Sequence, residues 1–384
     1  MIKFSIWAAI FFCSAKCDFA SAQTWTRTSA PTNAWTAVAA SADGTRLVAV
    51  GNRFIYTSAN YGLTWISNSA PTVSWLSVAS SADGAKLAAV ANSVYTNSGT
   101  VWTLAFTPGS PGNQQAAGAI ASSADGTKLV IADYLLFTPF IYTSTNAGAT
   151  WLGEISSPSP PWDAVASSAD GNYLAAARAS ATSSAIYTST NAGTSWVSNN
   201  VSSVPFLWTS LASSANGGNL LATAPPLFLA STNAGSNWTF VASAPLAINK
   251  VACSTNGNVW FGVSSNSGQI YSSLNAGVGW ITNNAPRTNW IAIAVSKDGN
   301  RAVAAVAGGG IYTLLPPALS ISNADNKVSI FWTTNEIGFG LEQNTNLAAA
   351  NWIAVTNEPV AVNTLYQVSL PVTNHPQFFR LAAP

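Results

Sequence analysis

The chain has 384 residues, of which only 7% are charged, against about 25% in ordinary soluble domains, and its 14 basic and 13 acidic residues leave a net charge of +1. No Lys or Arg cluster stands anywhere along it, so the electrostatic attraction that nucleic acid or an anionic membrane surface exploits is missing, and both partner classes are set aside. Beyond the N-terminus no apolar run reaches the roughly 18 residues needed to cross a bilayer, and no membrane span is expected.

Residues 1–22 read as a secretory signal peptide. Lys3 supplies the positive start, Phe4 to Phe12 the apolar core, and Ala20-Ser21-Ala22 a small-x-small cleavage site, so that the mature chain begins at Gln23. The charged stretch Lys16 to Asp18 is atypical of such a site, and a lipid anchor on Cys13 or Cys17 is the rival reading, although neither follows a Leu-small-small run. A secreted, cell-surface or periplasmic location is expected. With Cys13 and Cys17 removed, Cys253 stands alone, so no internal disulfide is available and it reads as a small buried hydrophobe.

From Gln23 onward one phrase recurs seven times: a Trp-led apolar strand, an Ala-Asp-Gly type of turn, a second apolar strand, Ile-Tyr-Thr-Ser, then Asn-x-Gly-x-x-Trp. The turn glycines Gly44, Gly84, Gly126, Gly171, Gly217, Gly257 and Gly299 are spaced by 40, 42, 45, 46, 40 and 42 residues. Four strands per period of about 40–45 residues is the signature of a β-propeller blade. In the unit that opens at Trp162, strands are predicted over Trp162–Ser167, Tyr173–Ala177 and Ala185–Ser189, with a fourth beginning at Thr194-Ser195-Trp196-Val197. Ala, Ser and Val suit the crowded inner strands, and Tyr and Trp the wide outer gaps.

The phase of the repeat predicts closure. Thr24-Trp25-Thr26-Arg27 reads as a fourth strand placed before any first strand, while the last unit stops at Ile311-Tyr312-Thr313 without one. The N-terminal strand should therefore complete the last blade, hiding two sheet edges. The fold expected is all-β: a seven-bladed β-propeller over 23–315, then a small C-terminal β-sandwich over 316–384.

The third turn, Ser58-Ala59-Asn60-Tyr61-Gly62-Leu63-Thr64-Trp65 and again Ser144-Thr145-Asn146-Ala147-Gly148-Ala149-Thr150-Trp151, resembles the Asp-box (BNR) repeat of sialidases, with Asn in the place of the family's Asp. Copies also begin at Ser189, Ser231 and Ser273. The first turn resembles the Ser-Pro-Asp-Gly of YVTN-type and WD40-like propellers, and the whole repeat is similar to photosystem II assembly factor propellers. The resemblance implies a propeller fold and a binding role. It brings no catalysis, because the box lies away from the sialidase active site, and that family's arginine cluster and Tyr–Glu pair have no match here.

Ligand-binding candidates follow from where the repeat is broken. The Asp-Gly and Asn-x-Gly turns share one face and are uniform. Connections on the other face vary, in Pro108 to Gln115, Asp133 to Pro139, Pro158 to Trp162, Arg178 to Ser184 and Val201 to Trp208. Eight residues before each turn Asp or Asn stand Trp35, Trp75, Ala117, Trp162, Trp208, Ile248 and Trp290, which either ring the channel mouth as stacking platforms or plug the gaps between blades. The candidate site is Asp133, Tyr134, Trp162, Asp163, Arg178 and Trp208. Asp133 and Asp163 are the carboxylates able to flank a glycosidic bond, which keeps a carbohydrate-active reading, glycoside hydrolase or sialidase-like, as the alternative. His375 is the sole His and no ligand pair is spaced for a metal, so neither metal nor cofactor is expected.

After Pro316-Pro317 the period disappears. Short alternating strands such as Val328-Ser329-Ile330-Phe331-Trp332 and Tyr366-Gln367-Val368-Ser369-Leu370 predict the sandwich. Leu341-Glu342-Gln343-Asn344-Thr345-Asn346-Leu347, Asn351-Trp352 and Phe378-Phe379-Arg380-Leu381 resemble a C-terminal module of secreted Gram-negative bacterial proteins, which implies sorting or attachment. The expected function is thus an exported, monomeric, non-catalytic binding or scaffold protein with a protein or glycan partner.

Overall fold

The structure, a computed structural model, describes residues 25–98, 101–108, 117–133, 140–156, 162–179, 184–202, 207–245, 247–315, 319–324, 326–333, 340–346, 351–362, 365–373 and 377–382. Residues 1–22, read above as a signal peptide, Tyr134 and His375 lie outside them. Every regular element among the described residues is a β-strand, and no helix is long and apolar enough to cross a membrane. The chain divides into two compact units, one of them Trp25–Leu315.

The Trp162 repeat folds as one antiparallel sheet whose strands Trp162–Ser167, Leu174–Ala179, Ser184–Ser189 and Val197–Ser202 pair in chain order. The fourth strand starts three residues later than the Trp motif suggests, because the third turn is held from within. The Ser189 hydroxyl accepts from Gly193 N at 2.9 Å and Asn191 Oδ1 from Ser195 N at 2.9 Å. Ala192 and Gly193 both take positive φ, 56° and 92°, to make that turn. Asn191 thus supplies the side-chain acceptor of this turn without a charge. The second strands Leu47–Gly51 and Leu220–Ala224 are buried along their full length, because both sheet faces pack on neighbours.

Five such four-stranded sheets occur separately, and an eight-stranded sheet holds the first and last repeats. Within that sheet the N-terminal strand Trp25–Arg27 pairs with Ile311–Leu314, as the phase of the repeats predicts. Its Trp25 packs on Phe261 and Trp290 and donates from Nε1 to Asn283 Oδ1 at 3.2 Å. The two halves are joined by Asn33 opposite Gly309 and Ala34 opposite Ala307.

On the turn-bearing face, main-chain hydrogen bonds run from repeat to repeat and return to their start. Ala42 N donates to Ala82 O, Ala82 to Ala124, Ala124 to Ala169, Ala169 to Ala215, Ala215 to Thr255, Thr255 to Lys297, and Lys297 back to Ala42, all within 2.6–3.0 Å. The innermost strands contact one another in the same cyclic order. A second set of contacts braces the turns. Arg301, Arg46, Lys86 and Lys128 each lie over the turn glycine of the next repeat, Gly44, Gly84, Gly126 and Gly171 in that order. Arg301 donates to Asp43 O at 2.7 Å, Lys86 to Asp125 O and Lys128 to Asp170 O, each at 2.9 Å. Where the next turn carries Asn216 or Asn256 instead of Asp, the brace is neutral, Tyr173 or Asn219. Charge is placed where a charge meets it, with Val259 over the Asp298 turn as the exception.

The smaller unit has two sheets. Ser320–Ala324, Lys327–Thr333, Leu365–Pro371 and Val360–Val362 form one, and Ile353–Ala354, Gly340–Asn344 and Phe378–Ala382 the other. Ile330, Trp332, Val368 and Leu370 of the first meet Leu341, Phe379 and Leu381 of the second in one buried cluster. Arg380 Nε donates to Glu342 Oε2 at 2.6 Å and its guanidinium lies 4.5 Å from the centre of the Trp352 ring, so residues of the C-terminal motif hold that sheet together.

The turn carboxylates predict an acid response. Hydrogen bonds from the Ser123 hydroxyl, then from the Thr127 backbone and hydroxyl, hold Asp125 down to about 2, and Asp83 and Asp170 are lowered by the matching Ser81 and Ser168 hydroxyls first. A folded pKa below the unfolded value of about 3.9 gives stability that is complete above pH 4 and lost as pH falls through 2. Asn216 and Asn256 make the same turn bonds without a charge, so Asp125→Asn should fold. Urea unfolding at pH 2 to 6 should show the wild-type advantage over this variant shrinking toward the acid end.

Candidate functional site

The variable connections join strand ends opposite the ring of turns. Their segments 109–115, 134–139, 157–161, 180–183 and 203–206 lie outside the described residues, Tyr134 among them; the flanking strand ends do not. Asp133 ends Leu129–Asp133, Trp162 opens Trp162–Ser167, Arg178 is the penultimate residue of Leu174–Ala179 and pairs with Trp162, and Trp208 precedes Ser210–Ser213. The candidates thus share one end of three successive sheets.

The five first-strand indoles are packing groups. Trp162 and Trp290 are 0% exposed, and Trp35, Trp75 and Trp208 at most 4%. Four of the five meet the Tyr of their own third strand edge-on at 5.1–5.6 Å, as Trp162 meets Tyr187. Trp35, Trp208 and Trp290 donate to carbonyls of the preceding repeat, Gly309, Arg178 and Gly268. Of the two roles open in the sequence, plug and stacking platform, the burial leaves the plug, because a ring with both faces covered offers none to a sugar. Arg178 is engaged in the same packing. Its guanidinium lies 5.5 Å from the centre of the Tyr187 ring and donates to Tyr187 Oη at 3.2 Å. Burial works to raise the Tyr187 phenol, and hydrogen bonds involving Ser198 and Arg178 outweigh it, leaving a net lowering.

The two carboxylates part company. Asp133 has no exposed surface, whereas Asp163 is half-buried and lines the central channel, a cavity of about 340 Å³ walled by the innermost strands. A β-bulge sets Asp163 there: Trp162 pairs with Arg178 and Ala164 with Ala177, leaving Asp163 as the extra residue. The same break falls at Thr36, Gly118 and Ile291, and all three line the channel. A bulge shifts the alternation by one residue, so Trp162 shares a face with Val165 and not with Ala164, and that spacing of three was the sign of it in the sequence.

Lys250 is the channel residue that the motif reading passed over. Its Nζ donates to Thr209 O at 2.6 Å, and burial lowers its pKa. The readable signal was positional, because the six equivalent places hold Ala37, Ser77, Ala119, Ala164, Ser210 and Ala292. Cys253, on the same strand, has its thiol pushed up to about 12 by burial, which leaves it without nucleophilic character near neutral pH. Among the described residues no three His, Cys, Asp or Glu side chains gather at metal-binding distance.

If the indoles are plugs, removing one costs core stability. Trp162→Ala should lower the unfolding free energy by about 3–5 kcal/mol. Denaturant titration of the purified chain checks this, and an unchanged midpoint would return Trp162 to the surface.

No family model matches the chain, and no curated protein does. Solved structures do. One described as YCF48 bound to D1 peptide superposes with a TM-score of 0.56 at 14% identity, over 81% of this chain and 99% of its own. The β-propeller domain of Cps50 (Swd1) from Myceliophteria thermophila gives 0.58 at 12% identity, over 76% and 100%. At such identities the likeness concerns architecture, and with the cyclic order of the sheets it establishes that this chain has a β-propeller fold.

Proposed function

We propose that the chain is an exported, non-catalytic binding or scaffold protein that takes hold of a protein partner with its variable face. In this reading 1–22 is the signal peptide, 23–315 a seven-bladed propeller of Asp-box and YVTN-like repeats closed by its N-terminal strand, and 316–384 a β-sandwich module for sorting or surface attachment.

The observation that carries the proposal is the difference between the two faces. One is fixed by main-chain bonds running around the whole ring and by side chains spent on bracing the next turn, which leaves little free to recognise anything. The other holds the connections that depart from the repeat, joined to strand ends anchored by Trp162, Arg178 and Trp208. Rigid strands that present irregular connections are the usual way a scaffold displays recognition loops. A protein segment is favoured over a glycan because the indoles that might have stacked on sugars are buried, and a propeller of the same fold is described with a bound peptide. Catalysis is disfavoured because Asp133, half of the carboxylate pair, has no exposed surface.

The test is a binding screen of the mature chain Gln23 to Pro384 against peptide and glycan arrays, repeated with two variants. One replaces residues 134–139 by Gly and Ser; the other carries Asp83→Asn and Asp170→Asn on the turn face. Peptide binding weakened at least tenfold by the first variant and untouched by the second is the expected outcome. Glycan binding accompanied by release of reducing ends would favour the carbohydrate-active reading instead.

A further inference from the structure

Lys250 holds a cationic side chain inside the channel where the repeat otherwise places Ala or Ser. Among the described residues it makes one hydrogen bond, to Thr209 O, and no ion pair. An ammonium has three N–H donors, so this one keeps unused donors beside a cavity of about 340 Å³, within the range of small-ligand pockets. An ammonium held partly out of water without an ion pair is costly, and Ala at the same position of other repeats shows that the fold does not need the charge.

We propose that the channel is a carboxylate-binding site in which Lys250 Nζ forms the charge-assisted hydrogen bond. Position favours this. Lys250 opens the strand Lys250–Cys253, and first strands run from the variable face toward the ring of turns, so the ammonium lies at the end of the channel that the variable face surrounds. Ser77 and Ser210 also line the cavity, and the Ser210 hydroxyl, which accepts from Val251 N, keeps its own proton to donate to a second oxygen. Charge favours one negative group over two: Asp163 faces the same cavity and repels any anion, a dianion such as phosphate twice as strongly, whereas the single charge of a carboxylate is matched by the Lys250 ammonium it would contact. The ligand is therefore a small carboxylic acid or the C-terminal carboxylate of a chain. This site rests on the channel alone and does not require the partner proposed for the variable face.

Amide NMR of the mature chain reads the site directly. The probes are acetate, N-acetyl-Ala-Ala-Ala as the free acid, the same tripeptide as its C-terminal amide, and inorganic phosphate. The expected result is a saturable shift centred on the Lys250, Thr209 and Asp163 amides with acetate or the free acid, absent with the amide. It should weaken at least tenfold in Lys250→Ala and in Lys250→Met, the second keeping the side-chain volume should the first fail to fold. A stronger response to the tripeptide acid than to acetate would identify a chain end as the source, and the reverse a small acid. Equal binding of acid and amide, retention in either Lys250 variant, tighter binding of phosphate, or no shift with any carboxylate would overturn the proposal.

Discussion

The pairing of Trp25–Arg27 with Ile311–Leu314 is the constraint on which the rest of Trp25–Leu315 depends. Each repeat is a thin sheet of small residues that cannot bury its own faces; Ala176 and Ala222 are fully buried only because the neighbouring sheets cover them. An open row of such sheets would leave one face bare at each end and two unpaired edges. Closure removes the bare faces together, and it has to be made by residues about 290 positions apart in sequence. The side chain that seals it, Trp25, sits against Trp290 of its own sheet and Phe261 of the preceding one, so a single indole ties the closing strand to the interior.

Closure also explains the distribution of charge. A chain with so few ionisable groups uses most of its turn acids and several of its bases on one face, where each base lies over the next turn and each Asp is satisfied by a Ser hydroxyl and a backbone N–H. Surface ion pairs such as Arg380 with Glu342 in the smaller unit contribute little individually. The bracing here is of another kind. Lysine and arginine heads meet main-chain carbonyls of the next turn and so tie successive sheets together.

Much of this was legible in the residues, and for physical reasons. Gly44 and its six counterparts are needed because the turn takes positive φ and the preceding repeat's side chain lies where a Cβ would stand. The unmatched fourth strand at Trp25 announced the closing partner. The candidate site was read less well. Trp162 and Trp208 stand at strand ends that the variable connections join, but the sequence left open whether a Trp there faces ligand or neighbour, since both use an apolar ring at the end of a strand. Asp133 and Asp163 look alike in the chain, yet one is interior at the end of a second strand and the other is turned to the channel by a one-residue bulge that shifts the alternation of its strand. Lys250 escaped because no motif surrounds it. Comparison of the same position across repeats is what sets it apart.

The most direct test of the closed ring is thermal and urea unfolding of a chain beginning at Ala30, without the N-terminal strand, beside the chain beginning at Gln23. Closure predicts that the shortened chain loses several kcal/mol, from the buried Trp25 and its lost strand pairing, and becomes prone to self-association through the exposed edge at Ile311–Leu314. An unchanged midpoint, with the shortened chain still monomeric at the same concentration, would contradict it.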